Sequence, residues 1–490
     1  MKFPKYTLLL LLIIGHLQSA FAQKGDKPVK QPWILYNRLY LSDTTGAAIF
    51  DNSYKKFGLV FLNEAGNVVK EVPITGRVLG MGKLNDNIIA FYTLETGPDV
   101  IKTIHAILVD PRTKVILLDK PVYENTSDKQ IVLYVPKDAG ENFKYLLIRE
   151  TGWTGKLRRE VNYKSQMARL ATTSIRQVLV NSKLESTIRT LTSAALGGTF
   201  ITPRTNTKGE TFIVSQSNDQ LVCEKFGPDG QLIKKLASPL ELSKEMPYDH
   251  QEVSAMDTTT GNTLTTSIRC RINKDKFTLT TVSFDFTNSK AWSTGTQLLD
   301  KDFSRELKAS PGFQKIANHK NTEDLTPIGV IPMGDKLIVW KDFKGDYDDA
   351  KSVTRFTNGG SIISVYDNKL TLLHTIFLDK FYECFMDAGR DLSFHVQGDK
   401  LIALGNEIIH IGAYGDFFYV LDLNKFTVEK QKADWGNISS SAPIDPSNVF
   451  WFRNNIVLSH WSVTIFSSEP SSYLQSIDYP DPAANTPTKK

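Results

Sequence analysis

The sequence predicts an all-β protein, on three observations. Short apolar runs alternate with clusters of Gly, Asn, Asp and Pro. One stretch, Thr199 to Leu236, reads as a complete unit of four short strands. The same strand-and-turn grammar then returns along most of the 490-residue chain. Short β-rich runs bounded by turn residues are the local signature of strands and hairpins.

The unit at Thr199–Leu236 shows each element in order. Thr199-Phe200-Ile201-Thr202 is the first strand, and Asn206-Thr207-Lys208-Gly209 turns the chain. Thr211-Phe212-Ile213-Val214-Ser215 follows, then the turn Ser217-Asn218-Asp219. Leu221 to Phe226 is the third strand, Pro228-Asp229-Gly230 the next turn, and Gln231 to Leu236 the last strand. The Asp-Gly pair supplies the positive φ that a tight hairpin needs.

The first turn of the unit recurs as Asn85-Asp86-Asn87, Gly334-Asp335-Lys336, Gly398-Asp399-Lys400 and Asn454-Asn455, each ahead of an apolar run. The last turn recurs at Asp110-Pro111-Arg112-Thr113-Lys114, Asp367-Asn368-Lys369-Leu370 and Asp422-Leu423-Asn424-Lys425-Phe426. Repeats begin near Val78, Ile131, Thr199, Val253, Ile328, Phe394 and Val449, between 53 and 75 residues apart. With these units the chain resembles β-propeller repeat proteins, whose blades have four strands. Val135-Pro136-Lys137-Asp138 with Phe143 to Ile148 is similar to the Pro-Asp-Gly turn and apolar strand of many blades. The resemblance implies a single domain over 31–479, of seven four-stranded blades within a range of six to eight. Strands from both termini would close the ring. Gly58 to Leu62 and Val68-Val69 would complete the repeat that begins at Val449 and cover exposed sheet edges. Eight blades is the alternative, because Trp33 to Leu41 and Val463 to Tyr479 hold further strand-like runs. A two-domain β-sandwich is a third reading.

The first 22 residues read differently. Lys2 and Lys5 precede the apolar run Leu8 to Ile14, and Ala20-Phe21-Ala22 places small residues where a signal peptidase reads. That is a secretory signal cleaved before Gln23. The run is far short of the ~20 residues that span a bilayer. The expected protein is therefore secreted or periplasmic, and not an integral membrane protein. Residues 23–30 read as a flexible lead-in and 480–490 as a disordered tail. Without Lys2 and Lys5, 56 Lys and Arg face 53 Asp and Glu, a net charge of +3 with no dense basic block. That balance argues against nucleic acid as a partner. Cys223, Cys270 and Cys384 form no CxxC pair, and two of them sit in apolar runs where Cys packs as a small hydrophobe.

Motifs for chemistry are sparse. No His lies in H-E-x-x-H spacing, and there is no G-x-S-x-G elbow. Asp110 to Lys114 resembles the Asp-x-x-Thr-Gly turn of quinone-cofactor propellers, with Lys114 in place of the Gly and no following Trp. No cofactor, metal site or catalytic set is expected. Asp342, Asp346, Asp348 and Asp349 form an acidic cluster that reads as a solvated loop, since EF-hand spacing is missing. Geometry gives a preferred face. In a four-stranded meander the turns after strands one and three share one side and are tight here. The turn after strand two is expanded at Thr151–Thr173, Asp342–Gly360 and Glu407–Asp416. Elaborated loops on a rigid scaffold are where binding resides. The candidate contacts are Trp153, Arg158, Arg159, Asp346, Asp348, Asp349, Tyr414 and Asp416. The expected role is an exported, non-catalytic binding or assembly module. Its partner would be an envelope or extracellular protein, or a glycan. The alternative is a propeller-type hydrolase or lyase acting on a glycan or related small molecule.

Overall fold

The computed structural model describes residues 29–31, 34–52, 56–95, 101–127, 129–135, 144–152, 171–198, 201–217, 219–240, 250–257, 259–273, 276–316, 322–348, 354–384, 390–410, 413–433, 443–462 and 471–479. The fold is an all-β propeller of eight four-stranded blades, two of which carry one extra short strand. Seven of the blades start within a few residues of the predicted positions. Blades two to eight open at Arg77, Ile131, Ile201, His250, Leu325, Ser393 and Phe450.

The count of seven is corrected to eight. Ile34–Tyr40 and Thr45–Asn52 pair with each other, and Lys56–Asn63 and Val68–Ile74 complete their sheet. Gly58 to Val69 therefore belongs to a blade of its own. The sheet shared by both termini is sealed by a different segment. Its strands are Phe450–Trp451, Asn455–Ser462 and Ser471–Asp478, and Val29–Gln31 pairs antiparallel with the last, Val29 opposite Leu474. The lead-in expected to be flexible thus ends in a strand.

The described residues fall into two compact units. One takes those within 1–53, 60–69 and 382–490, the other those within 54–59 and 70–381. In the first unit, blade eight packs on blade one through Leu35, Ala48, Phe50, Val60, Leu62, Phe450 and Phe452. The Phe450 and Phe452 rings stack at 5.4 Å, and Tyr40 meets Phe450 edge-on at 5.7 Å. Gly46 makes this approach feasible, because a Cβ there would lie 2.5 Å from the Phe450 ring. Asn448 Nδ2 also donates to Leu35 O at 2.6 Å. These contacts link residues about four hundred positions apart in sequence.

In the second unit, side chains of both facing sheets pack between consecutive blades. Ile89, Phe91, Leu146 and Val178 fill one gap; Phe212, Val214, Leu264 and Ile268 fill another. A strand covered on both faces has no solvent side, which is why Asn87–Thr93 is almost uniformly buried. The outermost strands keep one face in water, as in Leu232–Pro239. The single α-helix among the described residues, Lys301–Ala309, was not anticipated. Asp300 caps it by accepting from the Asp302 and Phe303 amides, both at 3.0 Å. Its Phe303 and Leu307 pack on Leu299 and Phe313.

The recurring last turn has one physical design. An Asx side chain accepts from the amide two residues on, at 2.8 Å in Asp110–Arg112 and Asp367–Lys369 and at 2.9 Å in Asn181–Lys183, Asp285–Thr287 and Asp422–Asn424. Each turn then exits through a left-handed residue: Lys114 (φ 59°), Leu184 (58°), Ser289 (58°), Leu370 (62°) and Phe426 (52°). A side chain there costs roughly 1–2 kcal/mol relative to Gly. Lys114→Gly is therefore expected to stabilise the protein by about 0.5–1 kcal/mol in urea melts, after the loss of unfolded-state restriction. An unchanged or lower midpoint would refute the strain at this turn.

Candidate binding cleft

A cavity of about 560 Å³ opens between blades five and six of the second unit. Its walls come from four turns. Asp257–Thr263 and Asp285–Lys290 belong to blade five, and Met333–Lys336 and Asp367–Leu370 to blade six. The cleft thus sits among the tight turns, not among the expanded hairpins that the sequence favoured. Its origin is compositional. Blade five faces blade six with Thr265 and Ser283, too small to fill the gap, and their hydroxyls bond to each other at 3.0 Å. An apolar layer closes the space beneath, from Val330, Leu337, Val339 and Leu370 with Val253, Ala255 and Trp292 against them.

Trp292 is the aromatic wall. It is half-buried, with the Lys290 and Lys369 ammoniums 5.4 and 6.0 Å from its ring. Cation–π attraction at these distances holds the lysines close. Lys336 supplies a third ammonium to the rim, and no ion pair or side-chain hydrogen bond engages it among the described residues.

Three carboxylates also line the cleft, and each is bound by its own turn. Asp257 accepts from the Thr259 and Thr260 amides and, at 2.6 Å, from the Thr260 hydroxyl. Burial pushes its carboxyl up, but these donors outweigh it and hold the group below the usual range. Asp367 accepts from the Thr371 and Lys369 amides, both at 2.8 Å, and they likewise hold it low. Asp285 accepts from the Thr287 and Asn288 amides and from Asn288 Nδ2. Asp257 and Asp367 therefore stay ionised at neutral pH and accept hydrogen bonds. They are poor proton donors.

Deeper in blade six lie two further buried charges. Lys341 donates to Ser364 Oγ at 2.7 Å, and burial pulls its pKa down to about 8. Asp342, on the opposite face of the same strand, is fully buried and ion-paired with Lys380 Nζ at 2.7 Å. It also accepts from Asn358 Nδ2, Ser361 Oγ and Trp340 Nε1 at 2.5, 2.6 and 3.1 Å. The expected solvated loop is therefore corrected. Asp342 to Asp348 continues a strand paired with Thr354 to Ser361.

Of the predicted contact residues, the structure describes Asp346, Asp348, Tyr414 and Asp416. Trp153, Arg158, Arg159 and Asp349 lie outside the described residues. Asp346 and Asp348 are exposed on the long hairpin, where Asp348 accepts from Thr354 Oγ1 at 2.9 Å. Tyr414 packs against Tyr382 at 5.8 Å and donates to Glu383 O at 3.3 Å. Asp416 is not a loop residue. It lies in the strand Ala413–Asp422 opposite Asn406, is fully buried, and has no hydrogen-bond partner for either carboxylate oxygen. Burial raises its pKa to about 8. The neighbouring Glu407 is better served, by Lys430 Nζ at 2.6 Å and by the Tyr419 hydroxyl.

A His does approach an acid in blade two, away from the cleft. His105 Nδ1 lies 3.9 Å from Asp119, too far for a hydrogen bond. Asp119 instead accepts from Tyr92 Oη at 2.9 and 3.0 Å, and burial together with that carboxylate pushes Tyr92 up to about 12. Among the described residues no three His, Cys, Asp or Glu side chains gather as a metal ion would require. The three cysteines are buried free thiols. No described helix is long and apolar enough to cross a membrane.

No family model and no curated protein matches the chain. Among solved structures it is similar to the β-propeller domain of the trilobed protease from Pyrococcus furiosus, with 7% identity and a TM-score of 0.38, over 85% of this chain and 99% of that one. It is also similar to puromycin hydrolase (9% identity, TM-score 0.39) and to prolyl oligopeptidase B from Galerina marginata (8%, 0.37). These cover 91% and 95% of this chain, which spans 60% and 58% of theirs.

Proposed function

We propose that the chain is exported and works as a non-catalytic binding module, with the cleft between blades five and six as its binding site. The observation that carries this reading is the state of the cleft's carboxylates. Hydrolysis by paired acids needs one carboxyl with a raised pKa beside one that stays ionised. Here Asp257 and Asp367 are both held low by their turns. What the cleft offers is a fixed, polar, partly aromatic wall, which suits recognition. Export rests on the N-terminal Lys2–Ala22 pattern, and protein recovered outside the cytoplasm is expected to begin at Gln23.

The test uses the full-length protein after that cleavage, immobilised and exposed to envelope and culture-medium fractions. Material should be retained unchanged, and Trp292→Ala should release it while Trp153→Ala, Arg158→Ala and Arg159→Ala together do not. Retention lost only in the triple variant would move the site to the hairpin of blade three. Time-dependent release of cleaved product would overturn the non-catalytic reading. The hydrolase or lyase alternative is favoured by one feature, the raised carboxyl of Asp416. It requires that Asp416→Asn abolish such a cleavage.

A further inference from the structure

The geometry points to an uncharged oligosaccharide as the occupant of the cleft between blades five and six, seated on Trp292; this rests on the binding reading above. Three features converge on that ligand class. The first is the pairing of an aromatic wall with hydroxyl-bearing side chains. Trp292 offers an apolar plane, which matches the C–H face of a pyranose ring. Ser283, opposite Trp292 in the sheet, with Thr265 and Thr263, lines the cleft with hydroxyls that can both donate and accept.

The second is the charge balance. Asp257, Asp285 and Asp367 line the cleft with Lys336 and Lys369, and Lys290 lies 5.4 Å from the Trp292 ring, so both signs surround Trp292. An anionic ligand would meet the three carboxylates and a cationic one the lysines. A neutral polyol finds a carboxylate for each hydroxyl proton and an ammonium for each hydroxyl oxygen, and charge-assisted bonds of this kind are the strong ones.

The third is preorganisation. The carboxylates are fixed by two or three turn donors each and still have lone pairs left to accept a ligand hydroxyl. Groups already held in place lose little freedom when a ligand arrives. The volume of about 560 Å³ is also in the range of small-molecule sites.

The experiment presents the full-length protein, after removal of residues 1–22, to an array of oligosaccharides. Neutral hexose, pentose and N-acetylhexosamine chains are compared with sulfated and uronic-acid chains. The best ligand is then titrated by calorimetry. Binding of a neutral chain at least tenfold tighter than its acidic counterpart is expected. Trp292→Ala should weaken it at least tenfold, Trp292→Phe less than threefold, and Thr265→Val measurably while the protein stays folded. If Trp292→Ala disturbs folding, the Phe and Val variants still decide the question. A preference for acidic chains, affinity unchanged by Thr265→Val, or no binding across the array would each overturn the saccharide assignment. In the last case, retention of envelope material that still depends on Trp292 would leave the binding reading standing. Loss of both would end it.

Discussion

Replacing Asp416 by Asn is expected to stabilise the protein by about 4 kcal/mol at pH 7 and by almost nothing near pH 4. The carboxyl is fully buried on the strand Ala413–Asp422, and neither oxygen has a hydrogen-bond partner. Burial alone raises its pKa from 3.8 to about 8. In the unfolded chain the group ionises near pH 4; in the folded chain it keeps its proton to about pH 8. Between those values the folded state holds one proton more, so stability falls as pH rises, by about 1.4 kcal/mol per unit. Asn resembles the protonated acid in shape and charge and does not titrate. Urea melts at pH 4.5, 6 and 7.5 should therefore give curves that diverge with pH, the variant above the wild type. Parallel curves would show that Asp416 has a partner in solution. The nearby Glu407 complicates nothing here, because Lys430 at 2.6 Å already balances it.

Asp416 also shows why a site can be misread from sequence. Gly415-Asp416 looks like the polar end of a hairpin, and the aromatic run Phe417-Phe418-Tyr419 looks like the strand proper. The ladder begins earlier, at Ala413, and carries the carboxyl inward opposite Asn406. Asp342 is misread for the same reason. Its neighbours Asp346 and Asp348 are exposed, and nothing local distinguishes the one that meets Lys380, 38 residues away. By contrast, the blade starts were legible because each turn is local. Gly334-Asp335-Lys336 and Asp367 to Leu370 encode their own geometry through a positive φ and an Asx bond. Blade one, which raises the count from seven to eight, is hard to read from sequence for physical reasons too. In its first strand, Ile34–Tyr40, Asn37 sits at φ 44° beside a register shift, which breaks the alternation. The sealing strand is three residues long and pairs with a segment over four hundred residues away. The helix at Lys301–Ala309 has a readable cap in Asp300, but its apolar face is only Phe303 and Leu307, too short a run for its period to stand out in the sequence. The cleft had no sequence signal of its own. Its walls come from four separate turns, and it exists because Thr265 and Ser283 leave the gap between two blades unfilled.

Asp342→Ala is expected to cost about 3–5 kcal/mol, because it strands a buried cation. Lys380 is 2% exposed, and its ammonium would lose the carboxylate at 2.7 Å while staying out of water. Asn358, Ser361 and Trp340 would lose the acceptor they share. The double change Asp342→Leu with Lys380→Leu should recover part of the loss, since no charge then remains buried. Recovery should be incomplete, because those three donors still lack that acceptor. A loss below about 1 kcal/mol for Asp342→Ala would mean that water reaches the pair, as for a surface ion pair. The same strand, Lys336–Asp348, gives Lys336 and Leu337 to the cleft. Six residues of extended chain separate Lys336 from Asp342, about 20 Å. The effects of changing the Asp342 anchor and of changing the cleft should therefore separate. Asp342→Ala lowers the melting temperature and, while the protein stays folded, leaves saccharide affinity within twofold. In blade five, Thr265→Val weakens saccharide affinity while the protein stays folded. If Asp342→Ala weakened binding as much as melting, the cleft would depend on the anchoring of the whole strand, not on the turns that shape it.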